Sequence, residues 1–187
     1  MTIDVYFHEP NQEGDYRAPE FLERIIREIK HAKRYVCIAS AWLRDRDVTT
    51  AIIDNHDIMV VGLLNRNDVD DASRNDAVDA LIHGNGTSRL YSPYITIMGD
   101  NSSMMHHKWI VIDDVVWFGS YNFTIAARFN YEVMLRIPDK ALAIKLYDYA
   151  MAGFTEETTE ISDAREIERQ EAFLERDFNR LIADLLG

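Results

Sequence analysis

The chain has 187 residues, 47% hydrophobic and 28% charged, with a formal net charge of −12 at pH 7. That length suits one α/β domain with a full core and an appendage, and the composition is that of an ordinary soluble globular protein. The negative charge opposes long-range attraction to DNA, RNA and anionic lipid; half of it sits in residues 155–187, where ten Asp or Glu face four Arg.

In chain order, residues 2–8 (TIDVYFH) alternate well enough for a first strand. A turn-rich segment leads to Pro19, which suits the first turn of a helix. From Glu20 to Lys33, Phe21, Leu22, Ile25, Ile26, Ile29 and Ala32 recur at helical spacing. Tyr35 to Ala41 is an apolar run that reads as a buried strand. It holds Cys37, the one cysteine, which excludes an intrachain disulfide, fits a reducing cytoplasmic compartment and reads as core filler. Residues 48–54 read as a short helix and Asp57 to Leu64 as another buried strand. This alternation predicts an α/β fold: a mixed, mostly parallel central sheet flanked by helices.

A helix is expected over Asp70 to Ile82, ended by Gly84 and Gly86, and a short strand over Ser88 to Tyr91. The second half of residues 92–103 reads as a loop. Two strands follow, Lys108 to Ile112 and Val115 to Phe118, joined by a turn at Asp113-Asp114. Then come a helical turn over Thr124 to Arg128, a strand over Tyr131 to Ile137, and a helix from Pro138-Asp139 to about Met151. Ser162 to Leu186 reads as an amphipathic helix, with packing on its own domain and pairing with another protomer or partner protein as its two readings. The domain assignment is therefore 1–154 for a catalytic domain and 155–187 for an acidic helical extension with dimerisation as one role. No apolar run approaches the roughly 18 residues that cross a bilayer, and the N-terminal residues have no signal-peptide pattern.

The chemistry concentrates in residues 104–132 (MMHHKWIVIDDVVWFGSYNFTIAARFNYE). His106 with Lys108, Ser120 with Asn122, and Asn130 with Glu132 are each spaced by two, which puts both members of a pair on one face of an extended backbone. A phosphodiester is an anion, so attack on it needs cations and hydrogen-bond donors around its oxygens. Lys108 supplies charge, and Ser120 and Asn122 supply donors. A neutral imidazole is a competent nucleophile near neutral pH, and a protonated one a competent acid for the leaving alkoxide. One imidazole does not readily do both in the same step, so in-line displacement calls for a second. His107 faces away from Lys108 by strand parity and reads as structural or exposed. Adjacent histidines in a strand diverge, and no Cys or His follows at ligand spacing, so neither a metal nor another cofactor is expected. His8, His31, His56 and His83 read as surface or turn residues. Trp109, Trp117 and Phe118 fit the sheet core, base stacking being the alternative; Met104 and Met105 read as core, with the site mouth as theirs.

His106-any-Lys108, four residues, Asp113, then Gly119-Ser120-any-Asn122, with Asn130 and Glu132 following, resembles the signature of the phospholipase D superfamily. Five residues separate Asp113 from Gly119 where that signature has six. The resemblance implies a phospholipase D-like fold and chemistry without metal or cofactor. It implies catalytic roles for His106, Lys108, Ser120, Asn122 and Glu132, the last orienting the histidine, and supporting roles for Asp113, Gly119 and Asn130. Members with one such motif pair as homodimers, which implies a phosphohistidine on His106 of one protomer and acid catalysis by His106 of the other. The compact single-motif chain is similar to the small nuclease branch, and nucleic acid is the expected substrate. A cardiolipin-like phospholipid is the second reading, and a non-catalytic binding or dimerisation module the third.

Overall fold

A computed structural model describes residues 2–10, 18–56, 58–70, 76–83, 94–99 and 103–152. The chain divides into two units, Met1–Phe154 and Thr155–Gly187. The expected strand at 88–91, the glycine helix stop at 84–86 and the helix at 162–186 lie outside the described residues.

The first unit runs β1 (Asp4–His8), α1 (Glu20–His31), β2 (Tyr35–Ser40), α2 (Arg46–Asp54), β3 (Met59–Asn65), α3 (Arg66–Asp70), α4 (Asp76–His83), β4 (Tyr94–Met98), β5 (Lys108–Ile112), β6 (Val115–Gly119), a 3-10 turn (Ala126–Phe129), β7 (Glu132–Pro138) and α5 (Lys140–Ala152). The strands form one mixed sheet in the order β1-β7-β6-β5-β2-β3-β4. Helix-crossover strands β2, β3 and β4 pair parallel, whereas β1–β7, β7–β6, β6–β5 and β5–β2 are antiparallel. The α/β fold with a mixed sheet stands, but "mostly parallel" does not describe its ladders. The β5–β6 hairpin inserts beside β2 by a long-range pairing that no local pattern announces. Two elements were also not expected. β4 lies in the first half of residues 92–103, for which the sequence suggests no element, and α3 immediately follows β3.

The core lies between one sheet face and α1, α2 and α4. Phe21, Leu22, Ile25 and Ile29 of α1 are buried against Ile38 of β2, Ile110 of β5, Trp117 of β6 and Met134 of β7. Each such side chain contributes about 1.5–3 kcal/mol of hydrophobic stabilisation. The Trp117 indole donates to Glu28 of α1 at 2.8 Å, so its polar edge is satisfied where the ring is buried. α5 covers β2, β3, β5 and β6 on the opposite face. Toward β1 this second face carries exposed apolar groups: Val5 and Phe7 stand out from the edge strand, and Phe118 on β6, expected in the core, is 51% exposed. Cys37 is fully buried, and burial pushes its thiol pKa up, as befits core packing. Among the described residues no helix is long and apolar enough to cross a membrane.

Candidate active site

The residues in question meet at one end of the sheet's interior strands because strand direction alternates there. The end of β2, the start of β5, the end of β6 and the start of β7 are neighbours, with Ser40 opposite Lys108 and Gly119 opposite Met134. The segment after β2 is pinned in place. Ala41 N–H donates to the His107 carbonyl at 2.9 Å, and the N–H groups of Arg44 and Asp45 both donate to the Phe123 carbonyl at 2.7 and 2.9 Å. This draws Ala41–Asp45 against both the approach to β5 and the chain leaving β6.

His106 and Lys108 are in contact. Lys108 Nζ lies 3.0 Å from His106 Nε2, 3.2 Å from Nδ1 and 3.3 Å from the His106 carbonyl. The contact sets a positive charge directly beside the imidazole. Trp42 completes the group. Its ring stands edge-on to His106, with centroids 5.4 Å apart at 87°, and Lys108 Nζ lies 5.8 Å from the Trp42 ring centre. Trp42 has no signal in the sequence, because what links it to His106 is the β2–β5 ladder and not spacing. Burial lowers the Lys108 pKa, opposed by the charge of Glu132.

Ser120, Asn130 and Glu132 form a second group. Ser120 Oγ donates to one oxygen of the buried Glu132 carboxylate, and Asn130 Nδ2 donates to the other at 3.3 Å. The same Ser120 Oγ accepts the Val133 N–H at 3.1 Å. The Ser120 proton is therefore committed to Glu132, and the hydrogen bonds to that carboxylate come from Ser120 and Asn130 rather than from His106. Asn122, half-buried on the segment after β6, has an Oδ1 without a hydrogen-bond partner. Gly119 is required by packing: a Cβ there would run into the Val133 carbonyl of β7.

Asp113 lies at the far end of β5, about 17 Å along the strand from Lys108. Its carboxylate accepts the backbone N–H groups of Lys33, Arg34 and Tyr35 at 3.0, 2.9 and 3.3 Å, tying the β5–β6 turn to the start of β2. The missing hairpin residue leaves a two-residue turn between Ile112 and Val115, with Asp113 in the left-handed region at φ 51.

His107 is half-buried rather than exposed, and packs near Trp109 and Tyr149 at centroid distances of 6.4 and 5.5 Å. Burial, then the charge of Lys108, lowers its pKa. His8 is also not a bare surface residue: on β1 opposite Glu132, its Nε2 lies 2.7 Å from the Arg128 carbonyl. Met105 is buried and Met104 exposed. Among the described residues no group of three or more His, Cys, Asp or Glu is arranged to hold a metal.

Residues 25–152 match a family profile described as cardiolipin synthase, PLD-like domain. No curated protein matches the sequence significantly. Among solved structures the fold is similar to NucT from Helicobacter pylori, with a TM-score of 0.60, 20% identity, and coverage of 81% of this chain and 95% of NucT. It is similar to a phospholipase D family member, Nuc from Salmonella typhimurium, with a TM-score of 0.56, 20% identity, and coverage of 81% of this chain and 92% of Nuc. Phosphatidylserine synthase from Haemophilus influenzae Rd KW20 gives a TM-score of 0.60 and 15% identity over 82% of this chain and 40% of the synthase.

Proposed function

The chain belongs to the phospholipase D-like domain family, and from the contact between the Lys108 ammonium and the His106 imidazole we propose that it is a metal-independent phosphodiesterase that cleaves nucleic acid as a homodimer. In this reading His106 attacks phosphorus, and an N–P bond forms as the P–O bond to the leaving group breaks. His106 of the partner subunit gives that oxygen its proton. Water then attacks the phosphohistidine, passes a proton to the same partner imidazole and frees His106. Lys108 and the Asn122 amide hold the nonbridging oxygens, where charge accumulates. Glu132, locked by Ser120 and Asn130, sets the negative field beside Lys108.

A second copy is needed because the chain carries one His-any-Lys pair and the displacement uses two imidazoles. The exposed Ile3, Val5 and Phe7 of the β1 segment support an association of this kind. The small size of the unit, which spans nearly all of NucT and Nuc, supports the nucleic-acid substrate. The test is nicking of plasmid, single-stranded DNA and RNA in excess EDTA, with trapping of phosphate on His106. Activity that needs a divalent metal, or that survives His106→Ala, sinks the mechanism. A monomer by light scattering sinks the shared site.

The family profile's description as cardiolipin synthase favours a second reading, a phospholipid phosphodiesterase. Headgroup release from cardiolipin-containing vesicles, without cleavage of nucleic acid, would put that reading first.

A further inference from the structure

A cleft of about 500 Å³ opens beside His106 and Lys108 on the α5 face of the sheet. Its walls are rings: His107 and Trp109 from the β5 segment, Phe118 from β6 and Tyr149 from α5. Among the described residues that line it, Leu146 is the one aliphatic side chain and none is acidic, in a chain of net charge −12. Trp109 is buried and forms a floor, while Phe118 and Tyr149 are 51% and 46% exposed.

The fold does not explain this surface. Large exposed aromatics that line one cleft leave apolar area in water, where core packing would have covered it. His107 has a buried Nδ1 without a hydrogen-bond partner, so its polarity does nothing for the packing around it. Burial and the Lys108 charge both favour its neutral form, which leaves the ring a flat, weakly polar surface.

We infer that this cleft is a substrate subsite that takes a nucleobase adjoining the scissile phosphate and stacks it between Tyr149 and Phe118. The inference rests on the phosphodiesterase reading above and adds the substrate contact that reading lacks. Three features favour a base over an acyl chain. The walls are planar rings rather than branched aliphatic side chains, and every base has a π-face for them. His106 and Lys108 are among the residues that line the cleft, so a base held there lies close to the imidazole. Charge supports the same choice: Lys108 lines the cleft and attracts the phosphate, and among the described residues no carboxylate lines it.

The test compares two esters with the same leaving group, thymidine 5′-(p-nitrophenyl phosphate) and methyl p-nitrophenyl phosphate, on the full-length protein. Tyr149→Ala and Phe118→Ala are expected to raise KM for the thymidine ester about tenfold more than for the methyl ester, the scale of one base–aromatic stack. Equal effects on both esters, or none on either, overturn the subsite. Binding of oligothymidylate to the His106→Ala protein, read by tryptophan fluorescence, provides a second measurement that needs no turnover. Weaker binding in the added Tyr149→Ala background supports the cleft even if hydrolysis fails, in which case the phosphodiesterase reading alone falls. Unchanged binding, or a Tyr149→Ala loss confined to cardiolipin vesicles, overturns the base assignment.

Discussion

Trp42 stands edge-on to His106, with ring centroids 5.4 Å apart at 87°. An aromatic edge directed at a ring face contributes about 0.5–1.5 kcal/mol beyond burial. His106 is exposed, so Trp42 is the principal aromatic restraint on where its imidazole sits. Trp42→Ala is expected to lower kcat/KM by about 2- to 12-fold, the same energy expressed as a rate ratio. The loss should fall mainly on kcat, and Trp42→Phe should recover part of it. If Trp42→Ala instead unfolds the protein, or leaves steady-state kinetics untouched, Trp42 does not position the nucleophile.

How Trp42 was missed shows what a sequence can and cannot carry. His106, Lys108, Ser120 and Asn122 lie at the open end of one hairpin or just beyond it, and hairpin geometry converts their spacing directly into position. Trp42 reaches the same place through the Ser40–Lys108 pairing between strands 68 residues apart, which has no local signature. The sheet's ladders follow the same rule. Strand–helix–strand order predicted the parallel β2–β3 pair, but the antiparallel insertion of β5 beside β2 depends on the whole chain. β4 was legible in part: Tyr94–Met98 reads YITIM, an alternating β-branched run masked by Pro93 and Gly99 at its borders. Phe118 misled because an apolar run such as VVWF does not reveal which half of a sheet a helix will cover.

Asp113 offers a stability test separate from catalysis. Its carboxylate accepts three N–H groups at the start of β2, and removing it leaves those donors without their partner. Asp113→Ala is expected to cost about 1–3 kcal/mol, or about 2–12 °C in melting temperature for a chain of this size. Asp113→Asn should cost less, since its amide oxygen still accepts. Thermal unfolding by circular dichroism reads the difference. A variant that keeps its melting temperature and loses only activity would move Asp113 from the scaffold into the chemistry.

His107 gives a pH dependence whose direction follows from its environment. Burial and Lys108 lower its folded-state pKa below the ordinary 6.5. Above that ordinary value the imidazole is neutral in both states, and its contribution to stability is whole. As pH falls from about 6.5 toward the depressed value, the unfolded chain binds a proton that the folded chain resists, and stability drops. His107→Phe removes this term and keeps a ring against Tyr149. Between about pH 7.5 and 5.5, the melting temperature of the wild type should therefore fall further than that of His107→Phe. Parallel curves would mean that His107 titrates alike in the two states.

The Arg128–Asp45 pair is the charged support beneath the site. Asp45 is fully buried, caps α2 by accepting the Asp47 N–H at 3.1 Å, and receives Arg128 Nη2 at 2.8 and 3.0 Å and Nε at 3.2 Å. Burial works against the Arg128 charge, but its hydrogen bonds to Asp47 and Asp45 outweigh it and raise the pKa. The pair fixes the 3-10 turn that leads to Asn130 and Glu132, and the Arg128 carbonyl also receives His8. Arg128→Met leaves the Asp45 carboxylate buried without its cation, which typically costs about 3–5 kcal/mol. That corresponds to a melting-temperature drop of about 6–20 °C. The double variant Arg128→Met, Asp45→Asn removes the stranded charge and is expected to recover part of the loss, since the penalty lies in the unpaired carboxylate more than in the absent bridge. If the double variant is as unstable as the single one, the pair's value lies in its hydrogen-bond geometry and the charge argument fails. Melting temperature and activity should then be compared at a temperature where all variants are folded. A deficit that persists there in Arg128→Met means that the 3-10 turn also sets the position of Glu132.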